Sequence, residues 1–166
     1  MTINTRKLRV TDRDQFFTFL KNEWKKDHVF IKNPELFDYM HHSKSNKDEY
    51  NFVVAEDNQA NQIIAIHGYI TPAHYDKSLS ERDVFLAIWK ALDVGIPGLG
   101  IRTLEYIQKL QDARLIEAIN FDVDVTDLYK MLGFNTGYLS HYVLFNLNKD
   151  CFKVAKNIDS RFLKKR

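Results

Sequence analysis

The chain has little cysteine, proline or glycine, with one, three and six of each among 166 residues. The single cysteine, Cys151, excludes an intramolecular disulfide and offers no thiolate pair to a metal, as is typical of a reducing compartment. No run approaches the roughly 20 apolar residues that a membrane helix needs, and the start MTINTRKLRV lacks a signal peptide's apolar core. We therefore expect a cytoplasmic protein with no membrane insertion.

The charge also lacks a strong sign, because 24 basic side chains nearly balance 22 acidic ones. An RNA-associated module would need a basic and aromatic motif that the sequence does not show, and the basic end, Lys164 to Arg166, reads as a solvated tail. We therefore expect no nucleic-acid partner. What the chain does have is 45% hydrophobic residues and no repeat or linker, which predicts one domain over 1–166.

Hydrophobic periodicity predicts an α/β (α+β) chain that begins with a strand and two helices. Thr11 is the predicted N-cap of the first helix, and Asn33 with Pro34 begins the second. Phe19 falls off the apolar stripe of the first helix and is expected to be exposed unless another element covers it. The stripe itself is formed by Phe16, Phe17, Leu20 and Trp24.

The rest of the pattern predicts a mostly antiparallel sheet. YNFVVAE and QIIAIHGYI form a predicted hairpin, and DVFLAIWKAL reads as a central strand. A helix from about Leu99 to Asp112, a strand RLIEAINF and a short helix TDLYKML follow. NTGYLSHYVLFNL predicts a final long strand or strand pair, which could pair across a two-fold axis in a homodimer.

Two glycines one residue apart mark the junction between the central strand and the next helix, in GIPGLGIRTLEYI. Gly98 and Gly100 let the backbone come close to a ligand, and the N–H groups at a helix start favour an anion. Arg102 adds a positive charge in the first turn. The pattern fits a phosphate-binding turn as well as a plain strand-to-helix turn, and it is neither a Walker loop nor a dinucleotide fingerprint, since Thr103 replaces the third glycine.

This turn, taken with LYKMLGF at 128–134, resembles the GCN5-related N-acetyltransferase (GNAT) superfamily. Its diphosphate loop reads [QR]-x-x-G-x-[GA], and its next helix commonly reads like FYEKLGF. Gly98 and Gly100 match the loop, while Gly95 stands where the family has Gln or Arg. The predicted element order resembles the GNAT fold from end to end, and FLAIWKALD with YLSHYVLFN looks most like bacterial members linked to surface-polysaccharide amino-sugar modification.

The resemblance implies acetyl-CoA as co-substrate, held where two parallel strands splay apart. Asp122 falls where the family often has an Asn on the cofactor arm, and an ionised Asp cannot donate the same hydrogen bond. The backbone of the central strand would hold the pantetheine arm, and the amides that follow would hold the diphosphate. The positions implied are Trp89, Lys90 and Ala91 for the arm, and Gly98, Leu99, Gly100, Ile101 and Arg102 for the diphosphate.

The resemblance further implies Tyr129 as the general acid beside the thioester sulfur; alternatively, this tyrosine packs its helix onto the sheet. His67, in a central strand, titrates in a useful range for a base but could equally be a packed residue. Glu81 and Asp83 could act through water, and a water chain could replace a base altogether. The adjacent histidines at 41 and 42 diverge by about 100° on a helix, so we expect no metal.

The sequence thus predicts an N-acetyltransferase acting on a small amine, an amino sugar by preference, free or nucleotide-linked. A catalytically silent relative that binds acyl-CoA or a partner protein, as a sensor or scaffold, is the rival interpretation. Tyr129 favours catalysis, whereas Gly95 in place of Gln or Arg favours the rival. Within the enzyme class, acetylation of a protein or of another small amine stays open.

Overall fold

The computed structural model describes residues 2–119 and 121–140. The chain divides into two compact units, Met1–Phe121 and Asp122–Arg166, which are described separately below. The prediction of one domain over 1–166 remains a prediction. The predicted last strand falls largely on residues 141–166, outside the described part, as does Cys151, while residues 135–140 carry no strand.

The first unit is built on a five-stranded sheet in the order β1-β2-β3-β4-β5. The first four strands pair antiparallel with their neighbours, and the last pair is parallel. The predicted hairpin is confirmed, with a tight reversal in which Asn61 takes a positive φ of 50°. The strands are β1 Ile3–Arg9, β2 Glu49–Asp57, β3 Gln62–Ile70, β4 Asp83–Ala91 and β5 Leu115–Glu117.

Helices cover both faces of this sheet. The predicted cap at Asn33 is confirmed, because its Oδ1 accepts a hydrogen bond from the Leu36 amide, and Pro34 opens the helix. The short second helix was not predicted. The helices are α1 Arg13–Phe19, α2 Val29–Lys32, α3 Pro34–His41 and α4 Leu99–Leu110 in the first unit, and α5 Thr126–Met131 in the second.

Alternation along the strands separates two cores. Phe52 and Ile66 face α1 and α3 in an aromatic cluster, where the Phe16 ring lies 4.9 Å from both Phe37 and Phe52. On the opposite face, Ala55, Ile64 and Ala65 pack with Leu99 of α4. The result is a helix-sheet-helix arrangement with the start of α4 packed directly on the sheet.

Phe19 corrects the expectation for the first helix. It is only 5% exposed and joins the aromatic cluster, whereas Trp24 is 43% exposed. The buried face uses the i, i+3, i+4 spacing of Phe16, Phe19 and Leu20, and α1 then gives way to a π-helical turn over Leu20–Trp24. This wider turn changes the angular spacing after Leu20, so Trp24 does not continue the stripe.

Among the residues described, no helix combines the length and apolar character needed to span a membrane. Within those same ranges, no three His, Cys, Asp or Glu side chains cluster so as to hold a metal ion.

His41 is a fully buried polar residue inside the aromatic cluster. Its ring lies 4.6 Å from Phe52 and 5.5 Å from Phe30, and neither ring nitrogen makes a well-formed hydrogen bond. Burial lowers the pKa of His41 to about 3, and nearby backbone of Tyr69 and Asn51 opposes this only in part. The imidazole is therefore neutral in the folded protein.

Replacing His41 with Leu should leave stability at neutral pH unchanged or higher, because it removes buried polar atoms without hydrogen bonds. In the wild type, the unfolded histidine takes up a proton below its usual pKa of 6.5 and the folded one does not. Stability is therefore lost as pH falls from 6.5 towards 3, by about 1.4 kcal/mol per pH unit.

Urea unfolding at several pH values between 7.5 and 4.5 measures this difference. The advantage of the Leu variant over the wild type should widen steadily below pH 6. Parallel pH dependences of the two proteins would contradict the assignment of a neutral buried His41.

Candidate functional site

The parallel strands β4 and β5 pair only at their N-terminal ends. The ladder joins Asp83 to Leu115, Val84 to Ile116 and Phe85 to Glu117, and there β5 ends, whereas β4 continues to Ala91. Beyond Phe85, the edge of β4 that faces β5 is outside the parallel ladder. The backbone that could hold an extended ligand is therefore the second half of β4.

A bulge lies at this point of divergence. His67 pairs with Trp89 and Tyr69 with Leu86, so the single residue Gly68 on β3 faces two residues on β4, Ala87 and Ile88. Such a bulge bends the strand and increases its twist, which helps β4 to turn away from β5.

An ion pair closes the opposite end of the parallel pair. The Arg114 guanidinium donates to both carboxylate oxygens of Asp83, at 2.6 and 2.8 Å. The sequence suggested Asp83 and Glu81 as groups acting through water, but Asp83 is engaged in this bidentate pair, which lowers its pKa, and Glu81 is exposed. Arg114 itself was missed, because only coordinates reveal a partner 31 residues away.

The turn after β4 leads into α4 and forms a cradle, by which we mean residues 95–102. Gly98 is the N-cap of α4, with φ 71°, and no side chain accepts a hydrogen bond at this cap. The Arg102 amide donates to the Gly98 carbonyl at 3.0 Å, as expected of the fourth helical residue. The amides of the preceding residues 99–101 have no carbonyl within the helix, so they can converge on an anion.

The two glycines of the cradle serve different purposes. Gly98 needs the left-handed backbone, and a Cβ there would meet nothing within 4 Å. Gly100 has an ordinary helical backbone, but a Cβ would lie 3.1 Å from Nε1 of Trp89. Gly98 is thus favoured by its left-handed conformation, and Gly100 by the close approach of the Trp89 indole.

The remaining cradle residues differ in their exposure to solvent. Arg102 is exposed in the first turn of α4, and Leu99 is buried against the sheet, while Ile101 is half-buried. Gly95 also takes a positive φ of 73°, and its amide donates to Asp93 Oδ1 at 3.3 Å. Of the predicted arm contacts, Trp89, Lys90 and Ala91 lie at the end of β4 that runs into the cradle, and all three are half-buried.

His67 lies beneath the cradle and not at its surface. It is 0% exposed, and its ring stacks on Trp89 with 4.7 Å between centroids and 4° between planes. Nδ1 lies 3.3 Å from Thr103 Oγ1, and burial lowers the pKa of His67 to about 3. A buried imidazole with this pKa is poorly suited to take a proton from an amine at neutral pH, so the structure lends no support to His67 as the base.

Two predicted residues belong to the second unit. Tyr129 lies on α5, where it is 4% exposed and packs edge to face against Phe134 at 5.3 Å. Burial raises the pKa of the Tyr129 phenol, which keeps it protonated at neutral pH. The Asp122 side chain caps the turn that follows it, because Oδ1 accepts from the Asp124 amide at 3.2 Å.

No family model matches the sequence, and no curated protein matches it. Solved structures do match in fold. Glucosamine-6-phosphate N-acetyltransferase from Arabidopsis thaliana is 14% identical with a TM-score of 0.55, covering 88% of this chain and 100% of its own. The aminoglycoside N-acetyltransferase AAC(6')-Iy in complex with CoA is 15% identical with a TM-score of 0.59, covering 90% and 96%.

A transcriptional regulator from Bacillus halodurans C-125 matches similarly, with 15% identity and a TM-score of 0.58, over 87% of this chain and all of its own. The mixed, mostly antiparallel sheet with flanking helices is therefore the GNAT fold, as predicted. At these identities the likeness shows the fold alone, so function has to be argued from the site.

Proposed function

We propose that this protein is an N-acetyltransferase that transfers the acetyl group of acetyl-CoA to a primary amine. One observation carries the proposal: the part of β4 that has left the parallel ladder with β5 leads directly into the cradle. The extended pantetheine arm can lie along the β4 backbone, while the diphosphate accepts hydrogen bonds from the amides at the start of α4. A solved structure of the same fold contains CoA.

The residues suit the two ends of the co-substrate. Trp89, Lys90 and Ala91 would hold the arm through their backbone groups. The amides of Leu99, Gly100 and Ile101 would hold the diphosphate, and the exposed Arg102 would add the charge of its side chain, since its own amide donates to the Gly98 carbonyl. Gly95 removes a side chain at the cradle but no backbone donor. Asp122 would contribute little, since its carboxylate only accepts hydrogen bonds and already caps a turn.

The reaction needs both substrates in one complex. The neutral amine attacks the thioester carbonyl, the C–N bond forms and the C–S bond breaks, and the thiolate receives a proton. The amine's own proton passes to water, since His67 is buried and Asp83 is ion-paired. We assign the proton on the departing sulfur to Tyr129 by its match to the family tyrosine, and burial raises the pKa of the phenol, so it is protonated at neutral pH.

Replacing Tyr129 with Phe should lower kcat by about 10²-fold, the usual range for a lost general acid, and leave the Kd for acetyl-CoA within about threefold. The change removes one oxygen and keeps the ring against Phe134. Steady-state thiol release and calorimetry measure the two quantities. An unchanged kcat would return Tyr129 to a packing role.

For the acceptor, we propose an amino sugar, free or nucleotide-linked, in surface-polysaccharide modification. Tyr39 on α3 and Tyr75 after β3 support this choice, because both are more than half exposed and their rings lie 5.9 Å apart. Tyrosine rings bind the apolar faces of sugars and attract ammonium groups. This Tyr39–Tyr75 pair lies beyond the end of β3 that pairs with the start of β4, away from the cradle.

Titration of acetyl-CoA into the protein, followed by thiol release with a panel of amines, tests the function. We expect micromolar binding and the fastest release with glucosamine derivatives, compared with a lysine peptide and a simple alkylamine. Binding without release for any amine would favour the sensor or scaffold. No binding by the folded wild type would overturn the acetyltransferase proposal.

A further inference from the structure

We infer that His67 is a positioning residue for the cradle: through Thr103 and Trp89 it fixes the first turn of α4 in the orientation that a diphosphate needs. This inference rests on the proposed function, since it assumes that a diphosphate binds there. It replaces the base role expected from the sequence with a role that suits a buried side chain.

A chain of hydrogen bonds connects His67 to the first turn of α4. The Thr103 hydroxyl lies 2.6 Å from the Gly100 carbonyl and donates to it. A hydroxyl has one proton, so the lone pairs of Thr103 Oγ1 remain to accept from His67 Nδ1–H at 3.3 Å. The imidazole of β3 is thereby connected to a carbonyl in the first turn of α4.

Ring packing also connects His67 to the first turn of α4. The Trp89 indole stacks on His67 and comes so close to Gly100 that a Cβ would not fit without displacement. The first turn of α4 therefore rests on Trp89, and Trp89 rests on His67. Both routes from His67 end at Gly100, whose amide is one of the three that face the proposed diphosphate.

The polarity of His67 is a cost that packing alone does not explain. Within the described residues its Nε2 is buried without a hydrogen-bond partner, and an apolar side chain would avoid that penalty. What an apolar residue lacks is the Nδ1–H that holds Thr103. The imidazole thus serves α4, whereas His41, equally buried, lies on the opposite face among the aromatic rings of α1 and α3.

The test compares His67→Leu with His41→Leu, measuring binding of CoA by calorimetry and of pantetheine, which lacks the diphosphate, by NMR titration. We expect His67→Leu to weaken CoA binding about tenfold and pantetheine binding less than twofold, with His41→Leu close to wild type in both. Thr103→Val should reproduce the loss, and Thr103→Ser, which keeps the hydroxyl, should restore it.

Equal weakening of CoA and pantetheine by His67→Leu would overturn the inference, as would a matching loss in His41→Leu, because either would indicate general loosening. If His67→Leu does not fold, the Thr103 pair decides the question alone. Failure of the wild type to bind CoA is a separate result, which would overturn the proposed function and this inference together.

Discussion

Gly98→Asp should weaken acetyl-CoA binding by roughly 30-fold or more, while the protein remains folded. Gly98 begins α4 at a left-handed position, which Asp tolerates better than most residues. A Cβ there meets no atom within 4 Å, so the change introduces charge without a clash. A carboxylate about 5 Å from a diphosphate costs about 2 kcal/mol or more.

Gly98→Asn is the matched control. Asn has the same shape and tolerates the same backbone, but it carries no charge. Calorimetry should therefore show a large loss for Asp and a small one for Asn, with the gap narrowing at high salt. Equal affinities for Asp and Asn would show that no phosphate binds beside Gly98.

Gly68→Ala should destabilise the protein by about 2–3 kcal/mol, although it adds only one methyl group. An added Cβ would lie 2.4 Å from the tip of the Phe52 ring, closer than atoms can approach. Phe52 has little room to move, since it is fully buried with Phe16 at 4.9 Å and His41 at 4.6 Å. Such overpacking forces off-rotamer side chains and backbone shifts.

Thermal unfolding should show a drop of about 4–12 °C for Gly68→Ala. Gly137→Ala is the control, because nothing lies within 4 Å of its Cβ position and it should change little. Adding Phe52→Leu to Gly68→Ala should recover part of the loss, beyond the sum of the two single changes. Equal midpoints for Gly68→Ala and Gly137→Ala would disprove the close contact.

The elements that local chemistry specifies could be predicted from the sequence. Alternating apolar residues in YNFVVAE and QIIAIHGYI indicated the hairpin, and Asn33 with Pro34 marked the start of α3. The β4 bulge could not be predicted, because it depends on pairing between strands about 20 residues apart. Phe19 was misjudged because the apolar stripe was extended to Trp24, whereas the helix changes type at Leu20 and the buried face is formed by Phe16, Phe19 and Leu20.

The candidate site, like the fold, could be predicted only in part. The glycine spacing indicated a helix start that could receive phosphate, and α4 begins there. The glycine spacing did not show that the Trp89 indole, across the turn, leaves little room for a side chain at Gly100. Nor did it show that Thr103 contacts a histidine 36 residues earlier. The sequence showed Thr103 only as the residue in place of a dinucleotide fingerprint's third glycine, whereas its hydroxyl is the group that joins α4 to β3.

The short parallel ladder between β4 and β5 bears on how such a protein can evolve. Three residue pairs hold the strands together, and the rest of β4 presents main-chain atoms to the co-substrate in the proposed function. Main-chain donors and acceptors survive almost every substitution except proline. Random mutation can then alter the surrounding side chains, and with them the preferred amine, while the main chain continues to bind the coenzyme. Chains that share this fold at 14 or 15% identity illustrate how far sequences can drift around such a site.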